Sequence, residues 1–139
     1  MAARELFLDA SYLIALSVPA DEHHDKACEF VRELETSARL LVTTQAVLFE
    51  VADALCKPRH RMAAVRLLET LAADPKVLIM PTDGTLYQRA LDLFSRRGDK
   101  EWSLTDCVSF IVMEDHGLSE SLTTDEHFEQ AGFVALLNH

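Results

Sequence analysis

The stretch Leu6-Phe7-Leu8-Asp9-Ala10-Ser11-Tyr12-Leu13-Ile14-Ala15-Leu16 decides how this chain is read. Three large apolar residues in a row, without polar alternation, fit a short strand buried on both faces, as in a parallel sheet. Asp9 ends that run abruptly. A helix is then expected over 11–18, stopped by Pro19, which removes a backbone donor. Strand and helix therefore meet at a carboxylate.

Working outward, the same alternation continues. Ala27, Val31, Leu34 and Ala38 recur at three- and four-residue steps and predict a helix over 21–38, followed by a strand over 40–43. Thr44 can cap a helix running to about residue 56, interrupted by Pro58. The next helix carries Met62, Val65, Leu68 and Leu71 on one stripe before Pro75, and a strand is expected over 77–80. Asp83 caps a helix bearing Leu86, Ala90, Leu93 and Phe94, which Gly98 is expected to close in the left-handed conformation. Ser103 opens a helix through Asp106 that ends near Gly117. A fourth strand is expected at 122–123, a turn or short helix over 125–130 and a fifth strand over 134–137. Strands alternating with helices mean an α/β fold with a mainly parallel sheet.

Composition sets bounds on this reading. With 139 residues, 49% of them apolar, the chain is long enough to bury one core, so a single domain over 1–139 is the expectation. No apolar run reaches the 18 residues that would suggest a membrane span, and the start, Met1-Ala2-Ala3-Arg4-Glu5, passes straight into the first strand; a soluble, unprocessed cytoplasmic protein is expected. Cys28, Cys56 and Cys107 show no C-x-x-C spacing and are read as small hydrophobes in a reducing compartment. The net charge of −10 argues at first against a nucleic-acid partner. Its distribution says more: ten acids and four bases over 1–56, five acids and nine bases over 57–100, eight acids and no Lys or Arg over 101–139. Such a chain could bring acidic ends together around cations while its middle offers arginines to an anion, although composition alone favours a solvated acidic surface.

Four acids stand out by position. Ligands of open parallel sheets collect beyond the carboxyl ends of the strands, where Asp9 and Asp125 both fall. Asp106 lies in the first turn of its helix, near the same rim. Glu50 interrupts Val47-Leu48-Phe49 and Val51-Ala52, where a carboxylate among apolar neighbours costs stability unless something pairs with it. A hard divalent cation such as Mg²⁺ or Mn²⁺ would supply that pairing. Each acid also has a plainer explanation: Asp106 as part of a capping box, Asp125 as a turn residue, Glu50 as the exposed edge of an amphipathic helix, Asp9 as a strand-to-helix turn.

Taken together, these segments resemble a family. The opening stretch 7–16 is similar to the first motif of PIN domains; Leu41-Val42-Thr43-Thr44 through Val47-Leu48-Phe49-Glu50-Val51 resembles the second. Ser103-Leu104-Thr105-Asp106 with the apolar helix to Gly117, then Leu122-Thr123-Thr124-Asp125-Glu126-His127-Phe128, resemble the third and fourth. The resemblance implies a three-layer α/β/α sandwich with strand order 3-2-1-4-5 and a nuclease site of Asp9, Glu50, Asp106 and Asp125 holding Mg²⁺ or Mn²⁺, with Ser11 and Thr124 in support. It further implies an RNA-cleaving toxin of the VapC type, commonly dimeric and silenced by a cognate antitoxin. Candidates for phosphate contact are Lys57, Arg59, Arg61, Arg96, Arg97 and Lys100, although a cation at a helix end explains each of them singly slightly better. A PIN-like scaffold without activity is the rival reading, and an aspartyl-phosphate phosphatase a lesser one, because Ser11 stands where it would need a second acid. The six histidines, with His23 and His24 adjacent, complete no tetrahedral zinc pattern and are read as surface residues. Trp102 is read as a staple on the core, and Cys107 as buried and not nucleophilic.

Overall fold

β1 (Leu6–Leu8) is buried at every position and sits at the centre of a five-stranded sheet. The computed structural model describes residues 5–139. The expectation of an unprocessed start rests partly on residues 1–4, which lie outside the described residues. After β1 come α1 (Ala10–Ser17), α2 (His24–Glu35), β2 (Leu41–Thr44), α3 (Gln45–Ala54), α4 (Pro58–Ala73), β3 (Val77–Met80) and α5 (Gly84–Arg96). Then follow α6 (Leu104–Asp115), β4 (Glu120–Leu122), α7 (Glu126–Gln130), β5 (Val134–Ala135) and a closing 3₁₀ turn (Leu136–Asn138). The strand order is β3-β2-β1-β4-β5 and every pairing is parallel, with Phe7 opposite Val42 and Leu8 opposite Leu122.

Successive strand residues point to opposite faces, and both faces of β1 are covered. Phe7 meets Phe128 of α7 at 6.2 Å between ring centroids, and Phe128 meets Phe110 of α6 edge-on at 5.0 Å. Leu8 instead borders a cavity lined by Leu13, Val31 and Leu67 of α1, α2 and α4. This is the expected α/β/α sandwich, and it explains why β1 reads as an unbroken apolar run.

Several boundaries move for local reasons. α2 is shorter than 21–38 because Asp21 accepts from the amides of His23 and His24 in a turn, and Ala38 falls beyond the helix. The α4 stripe is rotated: Ala64 and Leu71 are buried, whereas Met62 is 58% exposed. Phe94 likewise faces solvent, although Leu86, Ala90 and Leu93 do pack on the core. Gly98 is not left-handed; the glycines with positive φ are Gly117 (66°) and Gly132 (94°). α5 is instead released at Arg97, whose guanidinium grips Asp99 and lies 4.9 Å from the Trp102 ring. β5 is cut to two residues because Leu137 N–H bonds the Thr123 carbonyl, turning Leu137 into the core. Of the cysteines Cys107 is buried, Cys28 half-buried and Cys56 exposed, so the reading as small hydrophobes holds fully for Cys107 alone.

Candidate active site

Asp9 precedes α1 at the capping position, but its carboxylate makes no capping hydrogen bond to that helix. It turns towards β4 instead. The Thr123 hydroxyl donates to Asp9 Oδ2 at 2.6 Å and the Ser11 hydroxyl donates to the same oxygen at 3.0 Å. Thr123 Oγ1 also accepts from the Asp125 amide (3.0 Å), and Ser11 Oγ from the Thr124 amide (3.0 Å). The hydroxyl that reaches Asp9 thus belongs to Thr123, not to Thr124, which contributes its backbone. Thr123 passes for a strand residue in the sequence; β4 in fact ends at Leu122, freeing the next side chain to face β1.

Asp106 is reached through the cap of α6. Ser103 Oγ accepts from the Asp106 amide (2.9 Å) and the Ser103 amide donates back to Asp106 Oδ2 (3.0 Å). The capping-box explanation is therefore right, and it leaves Asp106 part of the cluster all the same. Oδ2 also accepts from His127 Nδ1 at 2.9 Å, and the same nitrogen lies 3.4 Å from Asp125 Oδ1. Asp125 caps α7 by accepting from the His127 amide (2.9 Å). Capping and clustering coexist because both need a carboxylate at a helix start on the rim of the sheet. His127 went unselected in the sequence, where it reads as a surface histidine. The signal was its place two residues after Asp125, which only the short α7 turns into proximity.

Glu50 projects from the exposed side of α3. Its sequence neighbours Val47 and Val51 are buried on the other side, and Phe49 is 70% exposed, so the expected crowding by apolar residues does not occur. The carboxyl is nonetheless pushed up to about 7, first by partial desolvation and then by the charges of Asp9, Asp106 and Asp125. All four acids named from the sequence therefore converge. Asp9 is pushed up to about 6, chiefly by burial and slightly by Asp106, against the lowering effect of Thr123, the Ala10 amide and Ser11. For His127, partial desolvation works against the charged ring, but the Asp106 bond and the charges of Asp125, Asp106 and Glu126 outweigh it and raise its pKa.

Such a cluster suits a hard cation. Carboxylates brought this close repel one another, a divalent ion relieves that repulsion, and oxygen donors are what Mg²⁺ and Mn²⁺ prefer. Among the described residues, Asp106, Asp125 and His127 bring donor atoms within 4.8 Å of one another. A thiol mechanism has no support, because burial pushes the Cys107 thiol up to about 11. Trp102 is buried edge-on against Phe110 and donates to Gln130, as a staple should.

The basic candidates fall at two junctions. Arg61 donates to the Cys56 carbonyl in the turn between α3 and α4 (3.0 and 2.7 Å), and Arg59 bonds His60. Lys57 precedes α4 and is exposed. Arg96 and Arg97 close α5, and with Lys100 they lead into the Ser103 cap beside Asp106; Arg97 is held by Asp99.

A parallel sheet in the order 3-2-1-4-5 with acids gathered at its carboxyl edge matches the PIN domain family, whose model covers residues 6–134; the chain belongs to that family. Over 130 residues it is 28% identical to the 23S rRNA-specific endonuclease VapC20 of Mycobacterium tuberculosis, spanning 93% of this chain and 95% of that protein. The crystal structure of M. tuberculosis VapC20, described as a Sarcin-Ricin loop cleaving toxin, superimposes with a TM-score of 0.81 at 26% identity, over 93% of this chain and 96% of that one. VapBC2 from Rickettsia felis, solved bound to a DNA fragment from its promoter, shares the fold with a TM-score of 0.64 at 9% identity, over 94% and 96%.

Proposed function

We propose that this chain is a VapC-type endoribonuclease toxin that hydrolyses RNA phosphodiester bonds with Mg²⁺ or Mn²⁺ held by Asp9, Glu50, Asp106 and Asp125. The observation that carries the reading is that Asp9, Asp106 and Asp125, from separate segments, are held by hydrogen bonds at one rim of the sheet, with Glu50 within reach of their charges. A scaffold has no physical reason to keep so repulsive a group of charges.

A bound cation would offset charge building on the phosphate and make a coordinated water a better nucleophile at neutral pH. The protein's own part is placement. Thr123 and Ser11 pin Asp9 through one oxygen, so the carboxylate keeps its direction despite burial. Asp106 and Asp125 are fixed by the helix starts they cap. Glu50, the most exposed of the four, faces the side from which a phosphodiester arrives. Lys57, Arg59, Arg96 and Lys100 supply the positive charge that brings an RNA backbone to an acidic protein.

The likeness to VapC20 makes a ribosomal RNA stem-loop the first substrate to try. A cognate antitoxin and a second copy of the chain are the proposed protein partners, and the exposed Phe49, Met62 and Val65 on α3 and α4 offer them an apolar face. The decisive assay is cleavage of such a stem-loop by purified protein with Mg²⁺ or Mn²⁺. Wild type cleaves, and chelation or Asp9→Asn abolishes it. A folded wild type that cuts no RNA with either ion would leave the scaffold reading in its place.

A further inference from the structure

His127 is held at the cluster by more than one constraint. Its amide is fixed by the Asp125 cap, and the next residue, Phe128, is wholly buried against Phe7 and Phe110. The roll of α7 is set by that aromatic anchor, which places the Cα–Cβ bond of His127 on the side of the cluster, and the bond to Asp106 holds the ring there. The ring is thereby delivered to two carboxylates contributed by different helices.

The distances also fit a shared ion. Adjacent donors in an octahedral shell with bonds of about 2.1 Å sit roughly 3 Å apart. Nδ1 of His127 lies 2.9 Å from Asp106 Oδ2 and 3.4 Å from Asp125 Oδ1, close to such edges. Carboxylates alone would discriminate little between Mg²⁺ and Mn²⁺. An imidazole changes that, because nitrogen donors suit transition ions whereas Mg²⁺ keeps to oxygen and water.

We propose that His127 supplies a nitrogen ligand to the cation shared by Asp106 and Asp125, and that this makes the site select Mn²⁺-class transition ions over Mg²⁺. The inference rests on the metal-dependent reading above. It differs from a positioning role, in which His127 stays outside the shell and only orients Asp106.

Pulsed electron paramagnetic resonance of Mn²⁺ bound to the full chain distinguishes the two, because a directly bound imidazole shows as ¹⁴N hyperfine coupling. Calorimetric titration with Mn²⁺ and with Mg²⁺ gives the selectivity. Wild type is expected to show the coupling. His127→Ala and His127→Gln should both lose it, weakening Mn²⁺ binding by roughly tenfold or more while Mg²⁺ affinity stays close to wild type. Circular dichroism confirms that each variant is folded, and His127→Gln carries the test if the alanine variant is not. Binding of both ions without nitrogen coupling, or coupling that survives in the variants, overturns the ligand assignment and leaves the nuclease reading intact. Failure of wild type to bind either ion overturns both.

Discussion

Asp9 carries opposing demands. Burial raises its pKa to about 6 while the unfolded chain titrates near 3.8, so the folded state holds this proton more tightly. The stabilising contribution is complete below pH 3.8 and is lost as pH rises through about 6. At neutral pH, without cations, the ionised carboxylate therefore destabilises the fold, by on the order of 2–3 kcal/mol for a shift of this size. Asp9→Asn should remove that loss: in chelator, chemical denaturation of the variant relative to wild type should show a stability gain that grows from pH 4 to pH 7, while RNA cleavage disappears. A variant less stable than wild type throughout that range would show that hydrogen bonding, not burial of charge, governs the position. Thr123 supplies the opposing force. Thr123→Val deletes three hydrogen-bond partnerships around a buried hydroxyl, at a cost of about 1–3 kcal/mol, and removes the strongest interaction lowering the Asp9 pKa. The acid limb of the pH–rate profile should move upward in Thr123→Val; an unmoved limb would mean that Asp9 does not set it.

At the scale of elements, helix starts marked by a capping side chain were legible, and the way in which helices end was less so. Thr44, Asp83 and Ser103 each accept from the amide three residues on, as their side-chain chemistry foretells. Ser103→Ala should accordingly cost about 1 kcal/mol in denaturant unfolding and loosen Asp106 with it. Ends depend on contacts that a linear pattern hides. Gly98 looks like a C-terminal glycine, yet Arg97 leaves the helix through its grip on Asp99 and Trp102, while Gly117 does adopt the left-handed conformation. The two glycines make a paired test, since an added methyl meets nothing within 4 Å at either. Gly117→Ala should lower stability by about 1 kcal/mol, whereas Gly98→Ala should be neutral within about 0.5 kcal/mol. Equal losses at both would contradict the backbone assignment. The site divides along the same line. Asp9, Asp106 and Asp125 were visible because strand ends and helix starts are local signals, whereas Glu50, in the middle of α3, stood out only by its apolar sequence neighbours. Thr123 and His127 were not visible, because β4 ends one residue early and α7 is too short to register as a periodic pattern.

Over the whole molecule, charge segregation acquires a spatial meaning. The acidic ends of the chain meet because β1 and β4 are neighbours, which puts Asp9 beside Thr123 and hence near Asp125. Folding therefore assembles repulsion that the unfolded chain does not feel, and a cation that binds only the folded state should recover the loss. Ligand linkage gives about 2.7 kcal/mol at a hundredfold excess over Kd, which for a domain of this size corresponds to a rise in Tm of roughly 5–10 °C. The gain should depend on pH in the opposite direction to the apo stability. At pH 5, protons already neutralise Asp9 and Glu50, whose pKa values lie near 6 and 7, and they compete with the ion. At pH 8 both groups are ionised and the cation meets its full set of ligands. Melting curves with and without Mn²⁺ should therefore be nearly superimposable at pH 5 and well separated at pH 8, and Asp9→Asn should shrink the separation at pH 8. A metal-induced shift of the same size at both pH values would place the ion elsewhere on this acidic surface, away from the two groups that titrate between them.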